Sequence, residues 1–238
     1  MLRNIIWYLY WGLSLVVYIP AMIRAQGHLN RGEVFKAREL AYHKAKNWSR
    51  YLVSLAGGDI EVKGLDNLPS DDSFLLVANH QSNFDIPLLL AEMPVPIAFI
   101  AKIETMKIPL VSQWMTFMGC LFMDREDFRQ SVSVINEASK KLVQGYIYVI
   151  FPEGTRSPDG RLGDFKAGSI KMALKAKKPI VPVTIDGSIK MMKKGEKGIH
   201  PARVVLTIHP PILPEGEIFK DTGGLMSEIK TRIESALS

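Results

Sequence analysis

The sequence predicts an α/β fold in which one domain, a sheet flanked by helices, follows two N-terminal helices. Two observations support this prediction. From residue 58 onward, seven apolar runs of strand length alternate with stretches of helical periodicity, as expected where helices cover a sheet. Before residue 58, a long uncharged apolar run is followed by a basic amphipathic stretch. We therefore divide the chain into residues 1–57, the helical segment, and residues 58–238, the α/β domain.

The first helix is expected over residues 5–23, "IIWYLYWGLSLVVYIPAMI", which carry no charge between Arg3 and Arg24. This length approaches the ~20 residues that span a bilayer. Aromatic residues with polar tips are scattered along it, so a tilted or half-embedded helix competes with a full span. A cleaved signal peptide or a soluble core helix would also contain such an apolar run. We expect membrane attachment, with the basic residues after the helix placing the domain on the cytoplasmic face of the cell membrane.

The second helix is expected from Glu33 to Ala56, with Gly57 and Gly58 as its stop. Apolar residues recur at intervals of three and four, and lysines and arginines occupy the other positions. A basic amphipathic helix after an apolar one would complete a two-helix membrane-binding segment. The alternative is a helix that packs on the globular domain.

The domain's elements follow from the same periodicities. Pro87 and Pro109 suit the first turns of two helices, where a missing N–H is tolerated. Pro182 lies inside the sixth apolar run and favours an edge strand or a bend near a ligand. We expect strands at "DIEVKG", "SFLLVAN", "IAFIAK", "CLFMDR", "YIYVIF", "IVPVTI" and "RVVLTIH", and helices over residues 86–92, 109–118, 127–144, 168–176 and 222–237.

The formal charge of +6 is concentrated in residues 24–50 and 166–197, the latter with nine lysines against two acidic residues. Two such patches favour an anionic partner, either nucleic acid, a membrane surface or a phosphorylated substrate, over two solvated faces. The single cysteine, Cys120, excludes an internal disulfide and, among apolar neighbours, is interpreted as a core residue rather than a nucleophile. Cysteine and histidine spacing predicts no zinc site, and we expect no metal.

One polar loop, within "LLVANHQSNFDIPLLL", separates an expected strand from an expected helix and contains His80 and Asp85. A strand-to-helix turn can bring the two side chains within hydrogen-bond reach. Asp85 would then hold one ring N–H and leave the other nitrogen of His80 as a general base for a hydroxyl. By itself the spacing is more typical of a capped loop with a structural histidine.

A second loop, "FPEGTRS", follows the strongly apolar run "YIYVIF". Gly154 permits close backbone approach or a positive φ. Arg156 and the hydroxyls of Thr155 and Ser157 suit phosphate oxygens, and Glu153 could orient the arginine or contact a substrate hydroxyl. A plain turn with a surface arginine is the alternative.

Two further cations, Lys102 and Arg125, end apolar runs of their own, and the planar guanidinium of Arg125 suits phosphate. Together with these residues, the chain resembles the glycerolipid acyltransferases, which include the 1-acyl-sn-glycerol-3-phosphate (lysophosphatidate) acyltransferases. Four family blocks occur in order over roughly residues 58–210: "NHQSNFD", "KIET" through "GCLFMDR", "FPEGTRS" and "IVPV". Thr105 departs from the leucine that often follows glutamate in the second block.

The resemblance implies a single mixed sheet of the glycerol-3-phosphate acyltransferase type and a direct acyl transfer. His80, oriented by Asp85, would deprotonate the sn-2 hydroxyl of lysophosphatidate, which attacks the thioester of acyl-CoA or acyl-acyl carrier protein and forms phosphatidic acid. Arg125 and Arg156, with Lys102, would hold the acceptor phosphate. Gly154 and Glu153 would shape the glycerol pocket, and Thr155 and Ser157 would also contact the phosphate or the glycerol. Membrane lipid is then the expected anionic surface rather than nucleic acid, and no cofactor is expected.

Three competing functions are also compatible with parts of the sequence. The same transfer could use glycerol 3-phosphate or another lysophospholipid as the acceptor. A thioesterase or lipid hydrolase would use His80 to activate water, although no G-x-S-x-G elbow is present. A basic membrane-binding protein without catalysis would explain the charge and the apolar N-terminus but not "FPEGTRS".

Overall fold

The computed structural model describes residues 2–70, 73–215 and 217–238. Three helices come first: α1 (Leu2–Val17), α2 (Ile19–Asn30) and α3 (Val34–Ala56). The predicted apolar helix is therefore divided in two, with a bend of 44° between α1 and α2. Pro20 lies in the first turn of α2 and has no N–H for the preceding turn, which accounts for the bend.

The apolar N-terminus meets the length and composition of a membrane span only as a bent pair. Among the described residues, none of the helices alone is both long and apolar enough to cross a bilayer, whereas α1 and α2 together are. One face of α1 is solvent-exposed and apolar, with Leu9 56%, Leu13 62% and Val17 73% exposed. The opposite face packs inward, where the Trp7 indole N–H donates to the Leu52 carbonyl at 2.9 Å.

Helix α3 packs on the globular domain, which is the alternative that the periodicity left open. Its Ala41 and Ala56 are fully buried. The Arg38 guanidinium donates to the Pro96 carbonyl at 2.8 Å and stacks 4.1 Å from the Tyr146 ring centroid. The N-terminal segment is thus joined to the domain through a buried interface, and not by a flexible tether.

The domain contains a seven-stranded mixed sheet, as predicted. The strand order is β1-β7-β6-β2-β5-β3-β4, with β6 and β7 antiparallel and the other neighbouring pairs parallel. All seven predicted runs contain a strand. The strands are β1 (Gly58–Lys63), β2 (Leu75–Ala78), β3 (Ile97–Lys102), β4 (Leu121–Met123), β5 (Ile147–Ile150), β6 (Ile180–Asp186) and β7 (Ala202–Ile208).

The five domain helices lie where the sequence predicts them; four are shorter than predicted, and α4 begins one residue earlier. Residues 167–170 form a 3-10 turn before α7 and are not α-helical. The Asp127 carboxylate begins α6 by accepting two backbone N–H groups, as an N-cap does. The helices are α4 (Asp85–Glu92), α5 (Val111–Met118), α6 (Phe128–Val143), α7 (Lys171–Ala176) and α8 (Thr222–Glu234).

The interpretation of Pro182 as an edge-strand residue is wrong, because β6 lies inside the sheet between β7 and β2. The first residue of β6 that pairs with β7 is Val183, opposite Ile208. The Pro182 carbonyl accepts from His209 N at 3.0 Å, and its missing N–H falls at the end of that ladder. An interior strand tolerates proline where the ladder stops.

The sheet brings the predicted loops to one edge. Strands β6, β2, β5, β3 and β4 run in the same direction, so their carboxyl ends meet there in that order. The loop after β2 carries His80, the loop after β5 carries "FPEGTRS", and the ends of β3 and β4 carry Lys102 and Arg125. Open α/β sheets bind ligands at this edge.

Candidate active site

The chain leaves β2 through a loop that is anchored to the neighbouring strand. The Asn79 side chain donates to the Ile185 carbonyl at 2.9 Å and accepts from the Ile185 N–H at 2.7 Å, which fixes the loop to β6. His80 follows, and Asp85 is the first residue of α4. Their side chains meet, with His80 Nδ1 2.6 Å from Asp85 Oδ2. The Asp85 carboxylate is fully buried, whereas the imidazole is 16% exposed and open to a ligand.

The Asp85 carboxylate is held by four hydrogen bonds. Besides His80, its Oδ2 accepts the backbone N–H groups of Gln81 at 2.7 Å and Ser82 at 2.9 Å. Its Oδ1 accepts from the Ser188 hydroxyl. An ionised carboxylate only accepts hydrogen bonds, so His80 Nδ1 carries the proton and Nε2 is left as an acceptor. This is the geometry of a general base with its orienting carboxylate.

The His80 ring is also fixed from one side. Phe151, the first residue after β5, stacks on it with a centroid distance of 4.1 Å and an interplanar angle of 17°. The His80 carbonyl accepts from the Ser157 N–H at 2.7 Å. The loops after β2 and β5 are therefore joined directly at the catalytic histidine candidate.

Glu153 joins the same two loops through its carboxylate. It is buried and accepts from the His80 N–H at 2.8 Å and from the Gly163 N–H at 2.9 Å. Burial raises the pKa of Glu153, and the two N–H donors partly offset this effect. The carboxylate holds backbone in place and does not contact Arg156, one of the partners that the sequence suggested for it.

Arg125 is brought to the "FPEGTRS" loop, and Lys102 is not. The half-buried Arg125 guanidinium donates to the Gly154 carbonyl, at a position where Gly154 has a φ of +72°. Burial lowers the pKa of Arg125, but the group starts so high that it stays charged at neutral pH. Lys102 is exposed and pairs with Glu104 at 2.6 Å.

The last three residues of the loop differ in their availability to a ligand. The buried Ser157 hydroxyl closes its own turn, accepting from the Gly160 N–H at 2.9 Å. Thr155 Oγ1 accepts from Lys194 Nζ at 3.0 Å. Arg156 lines an open cleft of about 350 Å³, and its guanidinium makes no hydrogen bond or ion pair within the described part of the chain. Of the three, Arg156 offers its polar group most freely.

Ser188, Phe151 and Lys194 join the site without having been singled out from the sequence. Ser188 follows Gly187, whose φ of +92° and close approach to the Arg203 carbonyl require glycine. Only the strand order brings this turn, after β6, beside the loop after β2. Within the described ranges, no group of three or more His, Cys, Asp or Glu side chains comes together as metal ligands do.

Helix α1 reaches the back of the site. The Trp7 and Phe84 rings lie 5.5 Å apart between centroids, and Phe84 directly precedes Asp85. The Tyr8 hydroxyl donates to the Lys197 carbonyl at 3.1 Å, in the turn that follows β6. The helix with the exposed apolar face is thus packed against the loops that build the site.

Several known proteins are similar to this chain in sequence. The Acyltransferase family model matches residues 59–186. A chloroplastic 1-acyl-sn-glycerol-3-phosphate acyltransferase of Brassica napus is 35% identical over 213 residues, covering 89% of this chain and 61% of that protein. A probable 1-acyl-sn-glycerol-3-phosphate acyltransferase of Mycoplasma pneumoniae is 32% identical, covering 78% of this chain and 73% of that protein.

A solved structure extends the likeness to the whole fold. The 1-acyl-sn-glycerophosphate (LPA) acyltransferase of Thermotoga maritima superposes with a TM-score of 0.81 at 32% identity, covering 98% of this chain and 95% of that one. The chain spans 61% and 59% of the length of the chloroplastic relatives from Brassica napus and Arabidopsis thaliana. By the family match and these relatives, the chain belongs to the acyltransferase family, together with the 1-acyl-sn-glycerol-3-phosphate acyltransferases.

Proposed function

We propose that this protein transfers an acyl group from a thioester donor to the sn-2 hydroxyl of 1-acyl-sn-glycerol 3-phosphate, forming phosphatidic acid. The observation that carries the proposal is the His80–Asp85 pair, 2.6 Å apart, beside a loop that carries Arg156. A general base next to a phosphate-suited cation fits an acceptor that bears a hydroxyl and a phosphate. The names of the relatives support the same acceptor.

In the proposed reaction, His80 Nε2 accepts the proton of the sn-2 hydroxyl as its oxygen attacks the thioester carbonyl. The carbon–sulfur bond breaks, and the thiol leaves with a proton returned from the imidazolium. The buried Asp85 carboxylate stabilises the imidazolium between these two steps. No acyl-enzyme is required, because the acceptor oxygen attacks the donor directly.

The acceptor phosphate would bind Arg156. Arg125 would hold the loop in place by donating to the Gly154 carbonyl. Lys102 would approach only after its ion pair with Glu104 opens, which costs little because both groups are exposed. Gly154, Thr155 and the clamped backbone around them would shape the glycerol pocket. The donor would be acyl-CoA or acyl-acyl carrier protein.

The membrane is the proposed location of the reaction, on its cytoplasmic face. Acceptor and product are both amphiphiles that reside in lipid. The exposed apolar face of α1 provides a surface that can enter the bilayer, and the inner face of the same helix contacts Phe84 in the catalytic loop. The glycerol would then reach His80 at headgroup depth.

The test measures thiol release from acyl-CoA with and without lysophosphatidate, together with phosphatidate formation. General-base assistance contributes roughly 10²- to 10⁴-fold, so His80→Ala should lower kcat by that factor and leave the fold intact. Wild-type turnover in that variant would overturn the role of His80. Release that does not depend on the acceptor would indicate a hydrolase. Transfer to glycerol 3-phosphate or another lysophospholipid with a higher kcat/KM would replace the proposed acceptor.

A further inference from the structure

Helices α6 and α7 pack against each other and form a basic surface. Residues 128–143 and 171–178 contain seven basic residues and one acidic residue, Glu137. Glu137 pairs with Lys141 at 3.3 Å, so its charge is already offset within α6. The basic residues of this α6–α7 surface are Arg129, Lys140, Lys141, Lys171, Lys175, Lys177 and Lys178.

One side of α6 combines apolar and basic side chains. Residues at intervals of four lie on the same side of a helix, and here they are Phe128, Val132, Asn136 and Lys140. Phe128 is 80% exposed and Val132 is 40% exposed, and Lys140 is exposed as well. The Asn136 side chain accepts a hydrogen bond from Lys175 of α7, which joins α7 to this side. An apolar end and a basic end therefore follow one another along a single exposed row.

The apolar end of this row lies toward the proposed active site. Helix α6 leaves the carboxyl end of β4 and returns to the amino end of β5. Phe128 and Val132 are therefore near the edge of the sheet that carries His80, and Lys140 is nearer the opposite edge. Helix α7 follows the loop after β5 through a 3-10 turn, and Lys171 is its first residue. A partner on the α6–α7 surface would thus reach the edge where the proposed reaction takes place.

The α6–α7 surface lies on the opposite face of the sheet from the N-terminal helices. From β2 through α4 and α5 to β4 the chain crosses the sheet in one direction, and through α6 and α7 it returns to β6 in the other. Crossovers between parallel strands are right-handed, so the reversal changes the face that the helices cover. Helix α3 packs against α4 and α5, and α1 packs on α3. A bilayer that holds the outer face of α1 would therefore leave the α6–α7 surface in water.

We propose that the α6–α7 surface binds the acidic protein that carries the acyl donor, an acyl carrier protein. This inference rests on the proposed function and deepens it. Acyl carrier proteins are small and acidic, so the lysines complement their carboxylates, and Phe128 and Val132 supply apolar contact. The pantetheine arm is long, so the carrier can dock on a helix face while its thioester reaches His80. Coenzyme A is too small to cover two helices, so the surface distinguishes the two donors.

The experiment compares Lys140→Gln/Lys171→Gln/Lys175→Gln with the wild type in acyl transfer to detergent-dispersed lysophosphatidate. The donor is the same acyl chain on acyl carrier protein or on coenzyme A. Exposed ion pairs contribute modestly, so the loss of three should raise the KM for acyl-acyl carrier protein about tenfold. The KM and kcat for acyl-CoA should stay within about twofold of the wild type. The difference between the donors should shrink with added salt, because the lysines are exposed.

Two further variants separate charge from apolar contact. Lys140→Arg/Lys171→Arg/Lys175→Arg retains the charge and should retain the wild-type KM for acyl-acyl carrier protein. Phe128→Gln/Val132→Gln keeps every lysine and should still raise that KM, by at least roughly threefold, without changing the KM for acyl-CoA.

The matched control is Lys36→Gln/Lys44→Gln/Lys63→Gln, which removes the same charge from α3 and β1. Both donor KM values should stay at the wild-type level in this control. The melting temperature checks that each variant is folded.

Four results would overturn the inference. An unchanged KM for acyl-acyl carrier protein would show that the surface does not bind the carrier. An equal rise for both donors would assign the lysines to the reaction site. Loss of sedimentation with phospholipid vesicles, with unchanged donor KM values, would assign the surface to anionic lipid. A wild type that accepts acyl-CoA alone would leave the surface without this partner.

Failure of the proposed function gives a different pattern. If lysophosphatidate were not the acceptor, no phosphatidate would form with either donor. Docking is then still measured by the fluorescence anisotropy of labelled apo-acyl carrier protein, which lacks the pantetheine arm and needs no turnover. The wild type should bind this probe about tenfold more tightly than the lysine-to-glutamine variant. Equal binding would contradict the inference whatever the acceptor is.

Discussion

Replacing Asp85 with asparagine separates the charge of this side chain from its geometry. The carboxylate accepts three hydrogen bonds at Oδ2, from His80 Nδ1 and the N–H groups of Gln81 and Ser82. Two of the three donors are backbone groups that cannot turn away. The amide oxygen of asparagine should therefore occupy the Oδ2 position, and the amide nitrogen should face the Ser188 hydroxyl, which can rotate to accept.

The expected loss follows from that orientation. In the Ser-His-Asp triad, the same change lowers kcat roughly 10⁴-fold because the wrong histidine tautomer forms. Here the amide oxygen still faces His80 Nδ1, so the tautomer is kept and only the charge assistance is lost. Hydrogen bonds to charged groups are worth ~1.5–3 kcal/mol. The expected decrease in kcat is therefore roughly 10- to 150-fold.

The assay is acceptor-dependent thiol release by Asp85→Asn, with the melting temperature as the control for folding. The fold should be retained, whereas Asp85→Ala leaves two buried N–H groups without an acceptor and should cost roughly 2–6 kcal/mol of the free energy of unfolding. A 10⁴-fold decrease in a folded Asp85→Asn variant would show that the amide is reversed. Unchanged turnover would show that the charge is not used, and either result refutes the reasoning.

Four further predictions follow from individual contacts. Ser188→Ala removes one donor to the Asp85 carboxylate and should lower kcat by roughly 10-fold without changing either KM; a change in KM alone would contradict the proposed positioning role. Arg156→Ala should raise the KM for lysophosphatidate more than that for acyl-CoA, and steady-state kinetics with each substrate varied would expose the reverse order. Burial raises the pKa of Cys120 to about 12, so its thiol stays protonated at neutral and mildly alkaline pH; iodoacetamide should label it only in urea, and labelling of the folded protein at pH 8 would contradict this burial. Leu9→Gln with Leu13→Gln places polar groups on the exposed face of α1 and should reduce sedimentation with phospholipid vesicles at least roughly tenfold, while Tm and the activity on a detergent-dispersed acceptor are retained; undiminished vesicle binding would argue against this face.

The sequence predicts the elements well because each strand is a short apolar run between polar loops. It also predicts that His80 and Arg156 lie in loops after strands, since each follows such a run, and the structure has both loops at the same edge of the sheet. The edge-strand interpretation of Pro182 fails because proline is tolerated in β6 where its antiparallel ladder with β7 ends. That position depends on β7, which begins about 20 residues further along the chain. The role of Ser188 escapes prediction for the same kind of reason, since its contact with Asp85 depends on β6 being the neighbour of β2. Residue pattern defines elements, and strand order defines which of their ends meet.

Because Trp7 contacts Phe84, α1 is suited to two roles at once: attachment to lipid and support of the loop that carries Asp85. Its outer face is apolar and exposed, and on its inner face Trp7 packs against Phe84, the residue before Asp85. Deleting this helix should expose Phe84 and the loop that carries Asp85 to solvent. The truncated protein should therefore lose activity even on an acceptor dissolved in water. Deleting α1 should therefore remove the proposed membrane attachment and the acyl transfer together, whereas polar substitutions on its outer face should remove only the attachment.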